Sequence, residues 1–308
     1  MTTTEKYNIK KVIILTGPTC SNKTENSIKI ATKYNAEIIS ADSLQIYKNF
    51  DIGTSKPNKV QRKKIIHHLI DIVNPKDEYD AWKYMDESRK IVRSSKNKLF
   101  ILSGGTQLYI DVFLNGLSEG ISKNIDLRDE LEERIKKFGL ASLHKEIIKV
   151  DPSLSEKLSK NDKSRIIRYL EIFYSTKTKP SEHFEKNIRK KFDGIKYIKT
   201  SLDFDKKVLD KRIEDRVQAM VKKGLLNEVQ SLLNKYGSNV KPIKSIGYKE
   251  IVDFLNNKTS YDESINKIVI NTRRLAKRQL TWLRKDKELN WFKSYKDLEK
   301  FIEKFITN

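Results

Sequence analysis

With 308 residues the chain is long enough to bury a sizeable core, as one large domain or two. It is 37% apolar and 34% charged, and no apolar run reaches bilayer length or precedes the first strand as a leader, which points away from membrane-spanning and secreted classes. A single cysteine and four histidines leave no material for a disulfide framework or a Cys/His zinc cluster and suit the reducing cytoplasm, while a net charge of +22 asks for a polyanionic partner, nucleic acid first.

The pattern along the chain predicts a strand at Lys11–Thr16 and then a helix at Lys23–Tyr34. Further strands are expected at Glu37–Ser40, at His68–Val73 and at Leu99–Ser103. Between the last two lies an amphipathic helix, Ala81–Ser95, with Asp80 placed to cap it. Strands alternating with helices predict an α/β fold with a parallel sheet covered on both faces. Residues 122–191 change character: Leu127, Leu131, Ile135 and Phe138, then Ile166, Leu170 and Phe173, keep helical spacing without a strand. They read as a helical insertion into a core made of residues 1–121 and 192–308. A strand at Ile195–Leu202 comes next, then helices at Lys206–Lys223, Asn227–Lys235, Tyr248–Asn256 and Tyr261–Arg284. The remainder is expected to be helical, with Leu298–Ile306 a short helix or a loose tail.

The run Gly17-Pro18-Thr19-Cys20-Ser21-Asn22-Lys23-Thr24, between the first strand and its helix, has the form of a phosphate-cradling loop. Backbone N–H groups and the helix N-terminus would face one anion, Lys23 would add charge, and the Thr24 hydroxyl would meet Mg²⁺. Asn22 stands where the pattern wants glycine, and asparagine tolerates the positive φ such a turn needs. Asp42, after the second strand, could take a proton as a general base, or could merely satisfy the N–H groups of its own turn. Gln45 has an amide suited to a base edge. Arg212 and Arg216 share a helix face, either for a leaving phosphate or as a solvated face paired with Glu214 or Asp215. Arg273, Arg274, Lys277, Arg278 and Arg284, with Gln279 and Trp282, form a basic stretch for a nucleic-acid backbone, and Arg165 and Arg168 offer a second. His67 and His68 point to opposite faces and read as structural.

Taken in order, these motifs resemble the tRNA dimethylallyltransferases over nearly the whole chain, from Ile13 to about Arg284. Besides the phosphate loop they include Ile39–Tyr47, Asp51-Ile52-Gly53-Thr54-Ser55-Lys56-Pro57, His67–Asp71, Gly104-Gly105-Thr106-Gln107-Leu108-Tyr109, Ile246-Gly247-Tyr248 and Lys277–Arg284. The resemblance implies a fold related to P-loop nucleotide kinases. It also implies transfer of a dimethylallyl group from dimethylallyl diphosphate to the exocyclic N6 amine of the adenosine 3′ of the anticodon, with Mg²⁺ as cofactor. The phosphate loop would then hold the prenyl diphosphate rather than ATP. Asp42 corresponds to the general base. Gly17, Pro18, Thr19, Cys20, Ser21, Asn22, Lys23 and Thr24 correspond to the diphosphate site, with Thr19 and Lys23 catalytic, Mg²⁺ near Thr24, and Arg212 or Arg216 assisting. The positions implied to meet the tRNA anticodon stem-loop are Asp42, Ser43, Leu44, Gln45, Thr106, Arg128, Ser164, Arg165, Ile166, Ile167 and Arg168. Lys244, Ser245, Ile246, Gly247, Tyr248 and Lys249 continue them, as do Lys277, Arg278, Gln279 and Arg284. Some relatives add a zinc finger after the last helix; the cysteine count leaves none here. A monomer is expected. The alternatives are an adenylate isopentenyltransferase acting on free AMP, ADP or ATP, a nucleotide kinase, and a non-catalytic RNA-binding relative with a degenerate phosphate loop.

Overall fold

The computed structural model describes residues 9–118, 121 and 123–308, which divide into two compact units, Met1–Leu114 with Phe192–Asn308 and Asn115–Lys191. The expected start of the insertion, Ser122, lies outside the described residues. The first unit is built on six parallel strands: β1 (Lys10–Thr16), β2 (Glu37–Ser40), β3 (His67–His68), β4 (Leu99–Gly104), β5 (Ile195–Leu202) and β6 (Leu289–Phe292). Their order across the sheet is β3-β2-β4-β1-β5-β6. Side chains alternate faces along a strand, and here both faces are dry. Ile13, Leu15, Ile38 and Ile101 pack with Ile30 and Ala31 of helix α1 (Lys23–Tyr34) and with Leu298 and Ile302 near the C-terminus. Val12, Ile14, Ile39, Phe100 and Leu102, on the other face, are fully buried as well. Burial on both sides explains the continuous apolar runs of β1 and β4.

Most expected elements are present with ends shifted by a residue or two, but three regions differ. The third strand is two residues long instead of running to Val73, because Leu69 (φ 59°) and Asp71 (φ 58°) turn left-handed. The backbone N–H of Asp71 then donates to the Gln45 carbonyl (3.1 Å), and those of Ile72 and Val73 to Ile46 (2.9 and 3.0 Å). Leu289–Phe292, which falls between the named helices and the last segment, is a strand, hydrogen-bonded in parallel to β5. The last segment, read as a short helix or a loose tail over Leu298–Ile306, is a helix and a longer one, α13 (Tyr295–Thr307), whose Leu298 and Ile302 are wholly buried. Its predecessor helices in this unit are α2 (Lys59–Lys64), α3 (Ala81–Ser94), α4 (Gln107–Asn115), α9 (Lys206–Lys222), α10 (Leu225–Tyr236), α11 (Tyr248–Leu255) and α12 (Tyr261–Leu283). Asp80 caps α3 through the Lys83 N–H (2.9 Å), as expected. Arg89 of α3 donates to the last carbonyls of α4, Val112, Phe113 and Leu114 (3.2, 2.8 and 3.2 Å), where a cation is favoured.

The second unit contains helices α5 (Ile125–Phe138), α6 (Leu140–Val150), α7 (Lys163–Thr176) and α8 (Pro180–Lys186). Leu131, Leu143, Ile147, Ile166 and Leu170 form its core, whereas Phe138, read as part of the apolar stripe, is 70% exposed. Beneath the helices the buried Glu171 carboxylate accepts from Arg128 Nε (2.8 Å), Arg168 Nη1 (2.6 Å) and the Asn124 N–H (2.8 Å). Burial alone would raise its pKa; the two guanidiniums and the amide reverse that and hold it below the usual carboxylate range.

Candidate active site

The sheet ends evenly at its carboxyl edge. Thr16 of β1 is level with Gly104 of β4 and Ser201 of β5, and Ser40 of β2 is level with Ser103. Three polar turns therefore leave from one line, at the edge where parallel sheets bind ligands. The first is the phosphate loop. Asn22 has φ 59° and ψ 23°, the left-handed conformation that its glycine-like position requires, and Cys20 is left-handed too (φ 65°). The loop therefore keeps the path of a phosphate cradle despite the missing glycine. Gly17 has no such freedom to change, since a Cβ there would lie 2.6 Å from Ser21 Oγ at φ +150°. Lys23 folds its ammonium back onto the Gly17 and Pro18 carbonyls (3.0 and 2.6 Å). Burial depresses its pKa to about 8; the Asp42 charge opposes this, and Arg216 adds to it.

The second turn holds Asp42. Its Oδ1 accepts from the N–H groups of Leu44 (2.9 Å) and Gln45 (3.4 Å), and its Oδ2 takes no hydrogen bond from the described residues. One oxygen thus fixes the turn while the other is left for chemistry, so the two readings of this residue are compatible. The Gln45 amide is already held, by Ser40 Oγ (3.3 Å) and by the Thr54 carbonyl (3.3 Å). The turn rests on Tyr84, whose hydroxyl donates to the Ser40 carbonyl (3.0 Å) and whose ring stacks on Tyr109 at 3.9 Å. Burial first, and then neighbouring charge including Asp42, raise both phenols, so they stay neutral.

The third turn begins at Gly104, where a Cβ would sit 2.1 Å from the Ala41 carbonyl oxygen; only glycine lets the second and third turns come this close. Thr106 joins them, donating its N–H to the Ala41 carbonyl (3.0 Å) and accepting from the Ser43 N–H (3.0 Å). Gln279 of α12 ties the first turn to the third: its Oε1 accepts from the Thr19 N–H (2.8 Å) and its Nε2 donates to the Gly105 carbonyl (3.0 Å). Expected among the tRNA contacts, Gln279 has both ends of its amide engaged within the site.

The arginine pair separates. Arg216 Nη1 donates to Thr19 Oγ1 (2.7 Å) and reaches Cys20 Sγ (3.8 Å), at the mouth of the phosphate loop. Arg212 lies over the Phe204 ring at 4.3 Å, with its Nη1 buried and without a partner. Neither takes the acidic partners weighed for it: Asp215 pairs with Lys211, and Glu214 with Arg273. Arg273, which also lies 3.6 Å from Asp210, is thereby a fastening between α9 and α12, not part of the open basic stretch.

Several residues expected to touch tRNA are interior. Ile166 and Ile167 belong to the core of the second unit, and Tyr248 is fully buried with its hydroxyl on Glu228 (2.7 Å). Their side chains have no surface to offer, because apolar periodicity placed them on the buried side of their helices. Gly247 is buried as well, Leu44, Ser245 and Ile246 are half-buried, and Lys244 and Lys249 are exposed. Lys277, Arg278 and Arg284 are exposed together with Trp282, as are Ser164 and Arg165 in the second unit, Arg165 lying 3.5 Å from Asp162. His67 and His68 bind Ile65 and Glu37, as structural histidines would (2.8 Å each).

The family model for IPP transferase matches residues 45–286. The chain belongs to the IPP transferase family. This is a family of prenyltransferase enzymes, and the chain is similar along almost its full length to proteins named tRNA dimethylallyltransferase. That of Halothermothrix orenii is 38% identical over 96% of this chain and 93% of its own length. That of Bacillus cereus is also 38% identical, over 92% and 90%. Among solved structures, the full-length tRNA isopentenylpyrophosphate transferase of Bacillus halodurans superposes with a TM-score of 0.70 at 31% identity, covering 96% of each chain. A eukaryotic dimethylallyltransferase described as acting on tRNA gives 0.75 at 30% identity, over 89% of this chain and 70% of its own.

Sequence reasoning assigned no role to Glu228, Tyr84 or the bridging of Gln279. Tyr84 and Glu228 give no signal beyond helical periodicity, and Gln279 is marked in the sequence only as part of a basic stretch expected to meet tRNA.

Proposed function

We propose that this chain transfers a dimethylallyl group from dimethylallyl diphosphate to the N6 amine of the adenosine 3′ of a tRNA anticodon, releasing pyrophosphate. The observation that carries the reading is that the Asp42 turn and the phosphate loop are fastened together at one sheet edge: Thr106 holds the Ala41 carbonyl and the Ser43 N–H, and Gln279 links the neighbouring Gly105 carbonyl to the Thr19 N–H. An amine held at Asp42 and a diphosphate held at Lys23 would therefore sit on either side of one prenyl carbon. Asp42 Oδ2 accepts the proton of the adenine amine as the new carbon–nitrogen bond forms. The cradle N–H groups, Lys23 and Arg216 receive the charge that grows on the departing pyrophosphate. Thr19 stands between Arg216 and the loop and orients the guanidinium.

The donor set fits a magnesium ion bound with the substrate. Thr24 lies on the first turn of α1, its hydroxyl makes no hydrogen bond among the described residues, and no cluster of three acidic, His or Cys side chains occurs among them. Thr24 would share such an ion with diphosphate oxygens and water, the mixed oxygen shell that Mg²⁺ favours. An ion bound there would supply positive charge to the leaving group. The adenine has to leave its stack to reach Asp42, at a cost of a few kcal/mol. Exposed Lys277, Arg278 and Arg284 would supply backbone contacts that hold the register while it does.

Incubation with unmodified tRNA, labelled dimethylallyl diphosphate and Mg²⁺ should label an adenosine, and AMP offered instead should remain unlabelled. Asp42→Ala should slow transfer by ~10²–10⁴-fold with tRNA affinity unchanged. Label in AMP and none in tRNA would overturn the proposal.

A further inference from the structure

The segment Asp51-Ile52-Gly53 wraps a carboxylate belonging to another part of the chain. Glu228, on α10, accepts the backbone N–H of Asp51 (3.2 Å) and Ile52 (2.7 Å) at Oε2, and that of Gly53 (3.0 Å) at Oε1. Oε1 also accepts the Tyr248 hydroxyl (2.7 Å). Successive N–H groups aimed at one point form an anion-binding nest of the kind used for phosphates. This nest is filled from within. Four donors meet two carboxylate oxygens, whereas a side-chain amide in the same place would turn its own N–H groups against two of them. Gly53 is part of the fit, since a Cβ there would lie 2.4 Å from the Tyr248 ring.

Beyond the nest the backbone is tied to the catalytic turn. The next carbonyl, that of Thr54, accepts from Gln45 Nε2 (3.3 Å), and the Gln45 N–H closes the turn onto Asp42 Oδ1 (3.4 Å). Two residues on, Lys56 enters with its side chain 1% exposed and donates to the Tyr47 carbonyl (2.8 Å), while its ammonium is balanced by Asp51 (2.7 Å) and Asp71 (2.5 Å). Segment 51–56 is therefore hydrogen-bonded at two points to the segment that begins with Asp42. We infer that Glu228 is a positioning residue: through the 51–53 nest and Gln45 it sets the orientation of the Asp42 carboxylate for proton transfer. A displacement of about 1 Å at a reacting group can cost 10²-fold in rate, and Oδ2 of Asp42 has no hydrogen bond among the described residues to correct one.

The inference rests on the proposed prenyl transfer and is tested within it. Single-turnover transfer at saturating tRNA and dimethylallyl diphosphate is measured for the full chain and for Glu228→Gln, Tyr248→Phe, Gln45→Leu and the double variant Glu228→Gln/Gln45→Leu. Glu228→Gln should lower the rate roughly ten- to hundredfold and leave the affinities for tRNA and for the diphosphate within about twofold, with Tyr248→Phe milder in the same direction. Because Glu228 acts through Gln45, the double variant should be little slower than the slower single one. Multiplying effects in the double variant, or a wild-type rate in both Glu228→Gln and Tyr248→Phe, would overturn the inference and leave the transfer reading standing. A wild-type chain that transfers nothing would remove both.

Discussion

Lys23 shows how one side chain can be made to favour two opposite things. Its ammonium is buried on loop carbonyls, so its pKa falls to about 8 against an ordinary value of 10.5. Between those two values the unfolded chain binds more protons than the folded one, so stability from this residue rises as pH increases across that interval. Anion binding needs the opposite state. As pH rises through about 8 the ammonium discharges and the affinity for dimethylallyl diphosphate should weaken, approaching tenfold per pH unit above it. Calorimetric titration of the diphosphate from pH 7 to 9.5, beside thermal melts over the same range, should give opposed slopes, and Lys23→Met should flatten both. Parallel slopes would mean that the lysine does not carry the anion. Asn22 is the contrasting residue: its suspect identity was visible in the sequence, and so was the left-handed φ that makes it acceptable.

At the level of elements, β6 and α13 were the least legible part of the core. Leu289-Asn290-Trp291-Phe292 is short, and a four-residue apolar run has no periodicity to distinguish a buried strand from a helix. Its assignment comes from partnership with β5, which lies far away in sequence. By the same token Leu298 and Ile302 look like a weak stripe but rest on Ile13 and Leu15 at zero exposure. Ile302→Ala should therefore cost about 2–5 kcal/mol, the usual range for emptying a core site, read as a lower denaturant midpoint; a change below about 0.5 kcal/mol, the range of ordinary surface substitutions, would return α13 to the status of a tail. The strands carrying the three turns were readable because β1, β2 and β4 are buried on both faces. Gly104 was readable as a turn, but its close approach to Ala41 was not, since that depends on register between strands. The third strand is read too long because the first left-handed residue that stops it, Leu69, is of a type that seldom adopts that conformation.

Across the molecule, charge and shape are distributed unevenly. Part of the basic complement is engaged in internal pairs such as Arg128 and Arg168 on Glu171 and Lys56 between Asp51 and Asp71, groups that sum to zero and leave the excess of +22 to be carried elsewhere. Lys277 and Arg278 at the end of α12 and Arg284 just after it are exposed and available to a polyanion. Binding of an anticodon stem-loop should weaken linearly in log–log plots against salt, and a triple alanine substitution of these three should shrink the slope by about 2–3 if each meets a phosphate. An unchanged slope would move the tRNA contacts off this helix.

The position of α13 also bears on how the chain is made. A ribosome delivers β1 first and α13 last, yet Ile13 and Leu15 are sealed by Leu298 and Ile302. At about 5–20 residues per second, the cover that Ile30 and Ala31 of α1 give this face comes early, whereas the share supplied by α13 comes long after it. The phosphate loop follows that strand, so the core beneath it is completed by elements from both ends of the described fold. A chain lacking α13 would leave the apolar cluster around Leu202 and Leu15 short of Leu298 and Ile302, exposing surface of the kind that makes incomplete chains aggregation-prone.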